Sequence, residues 1–493
     1  HVYAIVESNH VDKFAVDYFC NGDAKLTTAM DTIIKELHDA KEYGSILTVT
    51  PQDWTALYDR FAEITEDINM SRETALRELL PLVQVAEALA QKYDVVVTNP
   101  PYMGASNMNP KLNEFIKKNY ADYKSDFFSA FVIHASQMTK QSGYCGFFTP
   151  YVWMFIQSYE KMRNYLYNHA TIERLIQFEY SAFEEATVQV CTFVFKNRYL
   201  QKKGCYLRLV DFRGGMEVQR QKTLEAIENH DCGFYYEQST DNFSKIPGSP
   251  VAYWISDFLF KDYDRGIQLG NIFDVKKGMT TADNNRFLRF WFEVDKRQLN
   301  KKWYKTHKGG EFRKWYGNDE NVVNWQDNGR ELKAFSGSVI RNENYYFHRC
   351  ITWNDISSSR TGFRYIAGNS ISNASGPSVY DNSDRLLYSL GLCNSKVVEY
   401  IFALTCPTIH FEVGRVAELP VLIKCEKTVI ELVELCISLS QKDWDSFETS
   451  WDFQHHPLLR KVPTIAEAFD HWQDECNDRF NQLKANEEEL NRI

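Results

Sequence analysis

The sequence lacks the features that mark zinc-binding, disulfide-rich and membrane proteins. None of its eleven cysteines forms a C-x-x-C pair, and no cysteine–histidine cluster has the spacing of a zinc site. There is no apolar run long enough to cross a membrane, no signal peptide and no lipidation signal. These absences argue against a membrane partner and predict a cytoplasmic protein with reduced cysteines.

Sites for covalent or hydrolytic catalysis are missing as well. No Ser/His/Asp triad, carboxylate pair or metal cluster stands out, so we predict no metal site. No Gly-x-Gly sequence precedes residue 99. The net charge of −10 argues against a general polyanion binder, although an acidic protein can still hold DNA on a local basic face.

The length of 493 residues allows two or three domains. The sequence begins without an initiator methionine in a strand-like run, His1–Val6, and stops at Ile493 within a helical pattern. We interpret it as a fragment of a longer protein. Residues 10–93 are mostly helical in pattern, and a helix from about Ser71 should bend or break at Pro81.

The most informative stretch is Asn99-Pro100-Pro101-Tyr102, which we call the elbow. It follows a short β-branched run, 94–98, that is typical of a strand. Two prolines permit neither helix nor sheet pairing, so the chain must turn sharply where the strand ends. Open α/β sheets bind their ligands at this edge.

The elbow carries the groups that an exocyclic amine on a flat ring requires. The Asn99 side-chain oxygen and the Pro100 carbonyl can accept two N–H bonds, while Tyr102 can stack on the ring. This set resembles the catalytic motif of S-adenosylmethionine-dependent amino-methyltransferases, which act on adenine N6, cytosine N4 or glutamine amide nitrogen. The alternative is an ordinary proline turn after a buried strand.

The segments after the elbow alternate between helical and strand patterns. Helices are predicted at 124–135 and about 154–168, and strands at 143–150, 172–178 and 183–196. This alternation predicts an α/β protein with a parallel or mixed sheet covered by helices. The chain ends in two helical stretches, the second capped by Thr464 and Glu467.

Between these parts lies a region of short strands, turns, aromatic rings and basic side chains that suits DNA. Arg360 and Arg364 are the preferred base contacts, although each could equally grip a phosphate. The complete set of predicted DNA-binding residues is Lys276, Lys277, Thr280, Thr281, Asn284, Arg286, Lys308, Arg313, Lys314, Asn354, Ser358, Arg360 and Arg364.

The combined motifs resemble one family over nearly the whole chain. They are the elbow with Met103-Gly104 and the segments 39–47, 278–291, 351–365 and 448–453. The chain is similar to the PglX family, the adenine-specific DNA methyltransferases of BREX phage-defence systems. It is also similar to fused restriction-modification enzymes that carry methyltransferase and recognition domain on one polypeptide.

The resemblance implies an architecture: the later part of a Rossmann-like methyltransferase sheet, an α+β target-recognition domain and C-terminal helices. The implied boundaries are 1–198 for the partial catalytic domain, with a helical insertion at 10–93, then 199–260 for a connector, 261–425 for target recognition and 426–493 for the helices. Asn99, Pro100, Pro101 and Tyr102 would be catalytic, and Asp126, Phe127 and Thr187 would line the target-base pocket.

The same resemblance implies N6 methylation of one adenine in a short DNA site, which marks host DNA as self. The implied cofactor is S-adenosylmethionine, whose main glycine-rich loop normally precedes the catalytic strand and is not found here. Implied partners are double-stranded DNA, other BREX proteins and phage-encoded DNA mimics that inhibit the enzyme. Two alternatives stay open: a DNA-recognition fragment that is inactive alone, and a protein glutamine-amide methyltransferase.

Overall fold

The structure is a computed structural model that describes residues 1–180, 182, 188–357, 360–406 and 410–493. The chain divides into two compact units, His1–Trp254 and Ile255–Ile493. Within the described residues, no helix combines the length and apolar character that crossing a lipid bilayer requires.

The first unit contains a helical part and a mixed sheet. Its helices are α1 (Lys13–Cys20), α2 (Ala24–Glu36), α3 (Ala40–Tyr43), α4 (Trp54–Thr65), α5 (Met70–Ala90), α6 (Pro110–Asn119), α7 (Phe127–Met138), α8 (Glu160–His169), α9 (Gly215–Glu228) and α10 (Thr240–Phe243). Its strands are β1 (Tyr93–Thr98), β2 (Thr139–Pro150), β3 (Thr171–Gln177), β4 (Val190–Lys196), β5 (Gly204–Arg208) and β6 (Tyr235–Gln238).

The helical part holds a core of its own. α1, α2, α4 and α5 bury side chains such as Phe19, Ile33 and Phe61 against one another. One expectation for this part is wrong, because His1–Val6 forms no strand. α5 continues from Met70 to Ala90 through Pro81, which excludes the expected break, whereas the alternative of a bend stays a prediction.

The sheet has the strand order β1-β2-β4-β3-β5-β6. β1 pairs with β2 and β3 with β5 in parallel, whereas the β2–β4, β4–β3 and β5–β6 pairs are antiparallel. α7 packs on β1 and β2, and α8 packs on β3. The predicted mixed α/β sheet is confirmed, although α8 begins at Glu160 rather than near residue 154.

β1 lies at one edge of this sheet. Its only pairing among the described residues is with β2, and Val95 and Val97 are 56% and 75% exposed. An apolar run of this kind normally forms a buried strand, so the exposed valines are a deviation from the pattern. At the other edge, residues 204–238, expected within a connector, contribute β5, α9 and β6 to the first unit.

The second unit is built from short strands followed by helices. Its helices are α11 (Asp257–Arg265), α12 (Leu269–Ile272), α13 (Asn284–Phe287), α14 (Gln326–Ala334), α15 (Arg385–Cys393), α16 (Lys396–Thr405), α17 (Val413–Ala417), α18 (Glu426–Trp444) and α19 (Ile465–Leu490). Its strands are β7 (Ile267–Gln268), β8 (Asp274–Lys276), β9 (Leu288–Phe290), β10 (Trp303–His307), β11 (Asn321–Asn324), β12 (Cys350–Thr352), β13 (Arg364–Ile366), β14 (Ile371–Ser372), β15 (Ser378–Tyr380) and β16 (Pro420–Val421).

Two four-stranded sheets form the centre of this unit, in the orders β14-β10-β11-β9 and β13-β12-β15-β8. The buried ring of His307, on β10, joins them. Its Nδ1 lies 2.6 Å from Ser370 Oγ, and its Nε2 lies 2.9 Å from Ser378 Oγ on β15. Burial, with the positive charge of Arg364 nearby, lowers the pKa of His307 to about 3. The ring is therefore neutral in the folded protein at physiological pH.

The neutral His307 predicts a loss of stability in mild acid. The unfolded chain takes up a proton below pH 6.5 and the folded chain does not, so stability falls as the pH drops through that value. Because of His307, the free energy of unfolding should fall by about 2 kcal/mol between pH 7 and pH 5. Urea unfolding at several pH values measures this slope. His307→Gln should remove that part of it, and an unchanged slope in this variant would contradict the assignment.

Candidate active site and nucleic-acid interface

The elbow begins where β1 ends. Thr98 is the last paired residue of β1 and lies opposite Phe147 of β2, while β2 continues to Pro150. Asn99 is therefore the first residue beyond the sheet at its carboxyl edge. Its side chain is exposed and has no hydrogen-bond partner in the described part of the chain, so the amide is free for a ligand.

Tyr102 is held against the sheet by its hydroxyl and its ring edge. The hydroxyl donates to the Phe148 carbonyl at 3.3 Å, and the ring meets Phe128 edge-on at 6.4 Å between centroids. Burial raises the pKa of Tyr102 to about 12, so the phenol stays protonated at neutral pH. The side chain is still 38% exposed and can offer part of its ring to a ligand.

Asp126 ties the elbow to α7. Its Oδ1 accepts from the backbone N–H of Met103 at 3.0 Å and caps α7 by accepting from Phe128 N–H at 3.2 Å. In return, Phe127 N–H donates to the Met103 carbonyl at 2.9 Å. Desolvation raises the pKa of Asp126 against the effect of these bonds. Because the Asp126 carboxylate binds two chain segments, it restrains the backbone that carries Asn99 and Tyr102.

The predicted target-base pocket is only partly assembled. Asp126 lies beside the elbow as expected. Phe127 is 6% exposed and packs edge-on against Phe131 at 4.9 Å, so its side chain is part of the core, and its place in the pocket wall stays a prediction. A helix of this apolar pattern buries its first turn. Thr187 lies outside the described residues.

One pair at the same edge was missed from the sequence. Tyr151 follows β2, and its hydroxyl donates to the side-chain oxygen of Gln189, which precedes β4. Gln189 is exposed, and its side-chain N–H groups donate no hydrogen bond within the described part of the chain. Only the antiparallel register of β2 and β4, invisible in the sequence, brings the two together.

In the second unit, four of the predicted DNA-binding residues share one cleft of about 490 Å³. They are Lys277, Thr280, Thr281 and Asn284. Four further polar residues line the cleft that the sequence did not single out: Arg341, Asp355, Asn373 and Ser375. Most of its lining is polar side chains of the kinds that bind base edges and phosphates, and we call it the recognition cleft.

Arg341 is positioned by its neighbours in the recognition cleft. The segments that carry Thr280 and Val339 are joined by two backbone hydrogen bonds of 2.9 Å. Arg341 Nη1 donates to Thr280 Oγ1 at 3.1 Å. No carboxylate among the described residues forms an ion pair with Arg341, whereas Lys277 is paired with Asp355 at 2.9 Å. Arg341 therefore keeps an exposed, uncompensated charge.

Three other predicted DNA-binding residues, Arg313, Lys314 and Arg360, line a different cavity of about 740 Å³. Lys308 is in neither cavity. Lys276 pairs with Asp274, and Arg286 pairs with Glu331. The sequence pattern therefore grouped side chains that the fold separates into two sites and two surface ion pairs.

Two residues predicted to bind DNA, Arg364 and Asn354, are buried, which contradicts that prediction. Arg364 is fully buried in β13, where burial lowers its pKa to about 10 and its Nη2 donates to Asn354 Oδ1 at 3.0 Å. Asn354 is 3% exposed and exchanges hydrogen bonds with the backbone of Gly310. Both side chains hold the loops of this unit together. Ser358 lies outside the described residues.

Comparison with known proteins agrees with the motif-based resemblance. Residues 24–183 match the family model of the Eco57I restriction-modification methylase, and this range contains the elbow and α7. The chain is 24% identical over 244 residues to the type II restriction enzyme and methyltransferase RM.Eco57I of Escherichia coli, across 45% of this chain and 23% of that protein.

Two relatives match over most of the chain. It is 37% identical over 450 residues to the adenine-specific methyltransferase PglX of Lacticaseibacillus casei (strain Zhang), across 84% of this chain and 37% of that protein. It is 32% identical over 471 residues to the adenine-specific methyltransferase BrxX of Escherichia coli O9:H4 (strain HS), across 92% of this chain and 38% of that protein. The chain thus spans under two fifths of the length of these relatives.

The described residues contain no group of three or more His, Cys, Asp or Glu side chains arranged to hold a metal ion. The match to the methylase family model covers the elbow, and the matches to PglX and BrxX extend over both units. The chain is therefore similar to PglX and BrxX over most of its length, and its residues 24–183 match the Eco57I restriction-modification methylase family.

Proposed function

We propose that this chain supplies the base-binding elbow and the target-recognition domain of a DNA adenine-N6 methyltransferase that uses S-adenosylmethionine. The observation that carries the proposal is the free Asn99 amide beside a partly exposed Tyr102 at the carboxyl edge of the sheet. The relatives PglX and BrxX, which are named adenine-specific methyltransferases, support the choice of adenine.

The proposed chemistry follows from the elbow. A target adenine leaves the duplex at a cost of a few kcal/mol and stacks on Tyr102. The Asn99 side-chain oxygen and the Pro100 carbonyl accept the two N6–H bonds, which directs the nitrogen lone pair out of the ring plane. The elbow contributes orientation and electrostatic stabilisation. The hydrogen bonds of Asp126 to Met103 and Phe128 hold the elbow in position before the base binds.

The residues of this chain do not fit a complete cofactor site. No Gly-x-Gly precedes the elbow, and no strand before β1 is found in the described part of the first unit. Strand–turn–helix units of that kind bind nucleotide cofactors. We propose that the main cofactor loop lies in a part of the longer protein outside these 493 residues, so that the chain alone is a base-binding and recognition segment.

By its similarity to PglX and BrxX, we propose that the complete protein marks host DNA in BREX phage defence. Its partners would then be double-stranded DNA, other BREX proteins and phage-encoded DNA mimics, and its place of action the cytoplasm. A glutamine-amide methyltransferase shares the elbow but has no need of a recognition cleft. Specific binding of duplex DNA favours the DNA methyltransferase, and methylation of a protein glutamine instead would overturn it.

Replacing Asn99 by Ala in the complete protein should abolish adenine methylation while DNA binding persists. Loss of one aligned polar contact in a transition state costs about 100-fold or more in rate. Sequencing of modified bases in cells that carry the gene, with a duplex-binding assay on the purified protein, measures both effects. Asn107→Ala, at an exposed position five residues after Tyr102, is the control. Full methylation in Asn99→Ala would refute the proposed active site.

Tyr102 should act through its ring and not through its hydroxyl, which is occupied by the Phe148 carbonyl. Tyr102→Phe should therefore retain most of the methylation rate, whereas Tyr102→Ala should lose about 10- to 100-fold, the value of one base–aromatic stack. Single-turnover methylation of a duplex oligonucleotide distinguishes the two variants. Equal losses in both would show that the hydroxyl, and not stacking, is required.

Arg341 should determine one position of the DNA site. An exposed arginine fork binds guanine O6 and N7, and each such contact provides about 1–3 kcal/mol of discrimination. Arg341→Gln should therefore relax the preference at a single position of the methylated site, as seen in genome-wide maps of modified adenine. Arg330→Gln, at an exposed arginine paired with Asp327, is the control. A uniform loss at all sites would mean that Arg341 contacts phosphate.

A further inference from the structure

The second unit contains a large cavity that the proposed methyl transfer does not use. It has a volume of about 740 Å³, within the range of small-molecule sites. Its walls come from the segment 311–318, from Arg360, and from α18 and α19. We call it the arginine pocket, because Arg313, Arg360 and Arg479 all line it.

Two of these arginines are held by aromatic rings. The guanidinium carbon of Arg313 lies 4.7 Å from the ring centre of Trp444, and that of Arg360 lies 4.5 Å from the ring centre of Phe312. Stacking covers the faces of both groups and leaves their N–H edges for other partners.

The carboxylates that face these two arginines lie farther away than the length of a strong hydrogen bond. Asp443 Oδ2 lies 3.5 Å from Arg313 Nη1, and Glu399 Oε1 lies 3.7 Å from Arg360 Nη1. A charge-assisted N–H···O bond is normally 2.7–2.9 Å long. Both guanidinium groups are therefore oriented but only weakly paired.

Arg479, on α19, has weaker hydrogen-bond partners than Arg313 and Arg360. Its Nη2 donates to Cys476 Sγ at 3.1 Å, a weak acceptor, and its Nε is buried with no hydrogen-bond partner in the described part of the chain. No described carboxylate forms an ion pair with it. An arginine in this state gains free energy when an anion binds beside it.

Four acidic residues line the pocket, Glu311, Glu320, Asp443 and Glu487, against five basic residues. Glu487 accepts from Trp315 Nε1 at 2.7 Å and pairs with Lys314 at 3.3 Å. Burial raises the pKa of Glu320, and its Oε2 is buried without a hydrogen-bond partner among the described residues. The pocket therefore presents oriented positive groups to a ligand.

The pocket also offers apolar surface for a flat ring. Phe480 is 66% exposed and Phe312 is 39% exposed, and Leu439 and Leu483 lie in the same wall. A single phosphate or sulfate would leave most of the volume and both rings unused. The combination of three arginines and exposed rings fits a ligand with a phosphate group and an aromatic base.

We propose that the arginine pocket binds a purine nucleoside diphosphate or triphosphate. The phosphates lie against Arg360 and Arg479, and the base packs on Phe480. This pocket shares no lining residue with the elbow or the recognition cleft, and the proposal does not depend on the proposed methylation. It gives the PglX-like chain a second small-molecule ligand, through which nucleotide levels can act on the helices that follow the recognition domain.

Isothermal titration calorimetry of the 493-residue chain with ADP tests the proposal. We expect one saturable site, with adenosine and pyrophosphate each at least about 10-fold weaker, because each lacks one of the two contacts. Arg360→Gln and Arg479→Gln should each weaken ADP by about 10-fold or more, the value of a charge-assisted contact. Phe480→Ala should weaken ADP but leave pyrophosphate unchanged.

Two controls make the result decisive. Arg330→Gln lies outside the pocket and should bind ADP as the unsubstituted chain does, and thermal unfolding checks that every variant is folded. The proposal is overturned if ADP does not saturate at millimolar concentration, or if the pocket variants bind it normally. It is also overturned if pyrophosphate binds as tightly as ADP, or if S-adenosylmethionine or a duplex oligonucleotide displaces ADP from this pocket.

Discussion

The bonds made by the Asp126 carboxylate are the constraint on which the candidate active site depends. One oxygen accepts from Met103 N–H after the elbow and from Phe128 N–H in the first turn of α7. A helix cap and a loop anchor are thus the same group, so the start of α7 and the position of Asn99 cannot vary independently. Since α7 packs on β1 and β2, the elbow is held from both the sheet and the helix.

In contrast to the elbow, which is fixed on two sides, β1 is incompletely covered. Its valines are exposed, and an unpaired strand edge is a surface that natural proteins usually cover. Together with the missing glycine-rich turn, it supports the proposal that the base-binding side of the site is in this chain and the main cofactor side is elsewhere. Similarity to proteins more than twice as long is consistent with that division.

Basic side chains in the second unit serve three different purposes. Arg364 is a core residue that joins buried loops, Arg341 is exposed and positioned by Thr280, and Arg313 and Arg360 are stacked around a separate pocket. Sequence spacing cannot distinguish these cases, because burial of an arginine depends on which strand partners cover it. β13 buries Arg364 between neighbours that are distant in sequence.

The sequence by itself determined the elements around the elbow and the side chains that the elbow carries. Two prolines after a β-branched run permit one local outcome, and the helix and strand patterns from residue 124 to 178 predicted α7, β2 and β3 within a few residues. Only the tertiary structure decided the rest. Strand order placed β1 at an edge, strand register paired Tyr151 with Gln189, and loop packing separated the recognition cleft from the arginine pocket. These contacts join residues far apart in the chain, and no local pattern encodes them.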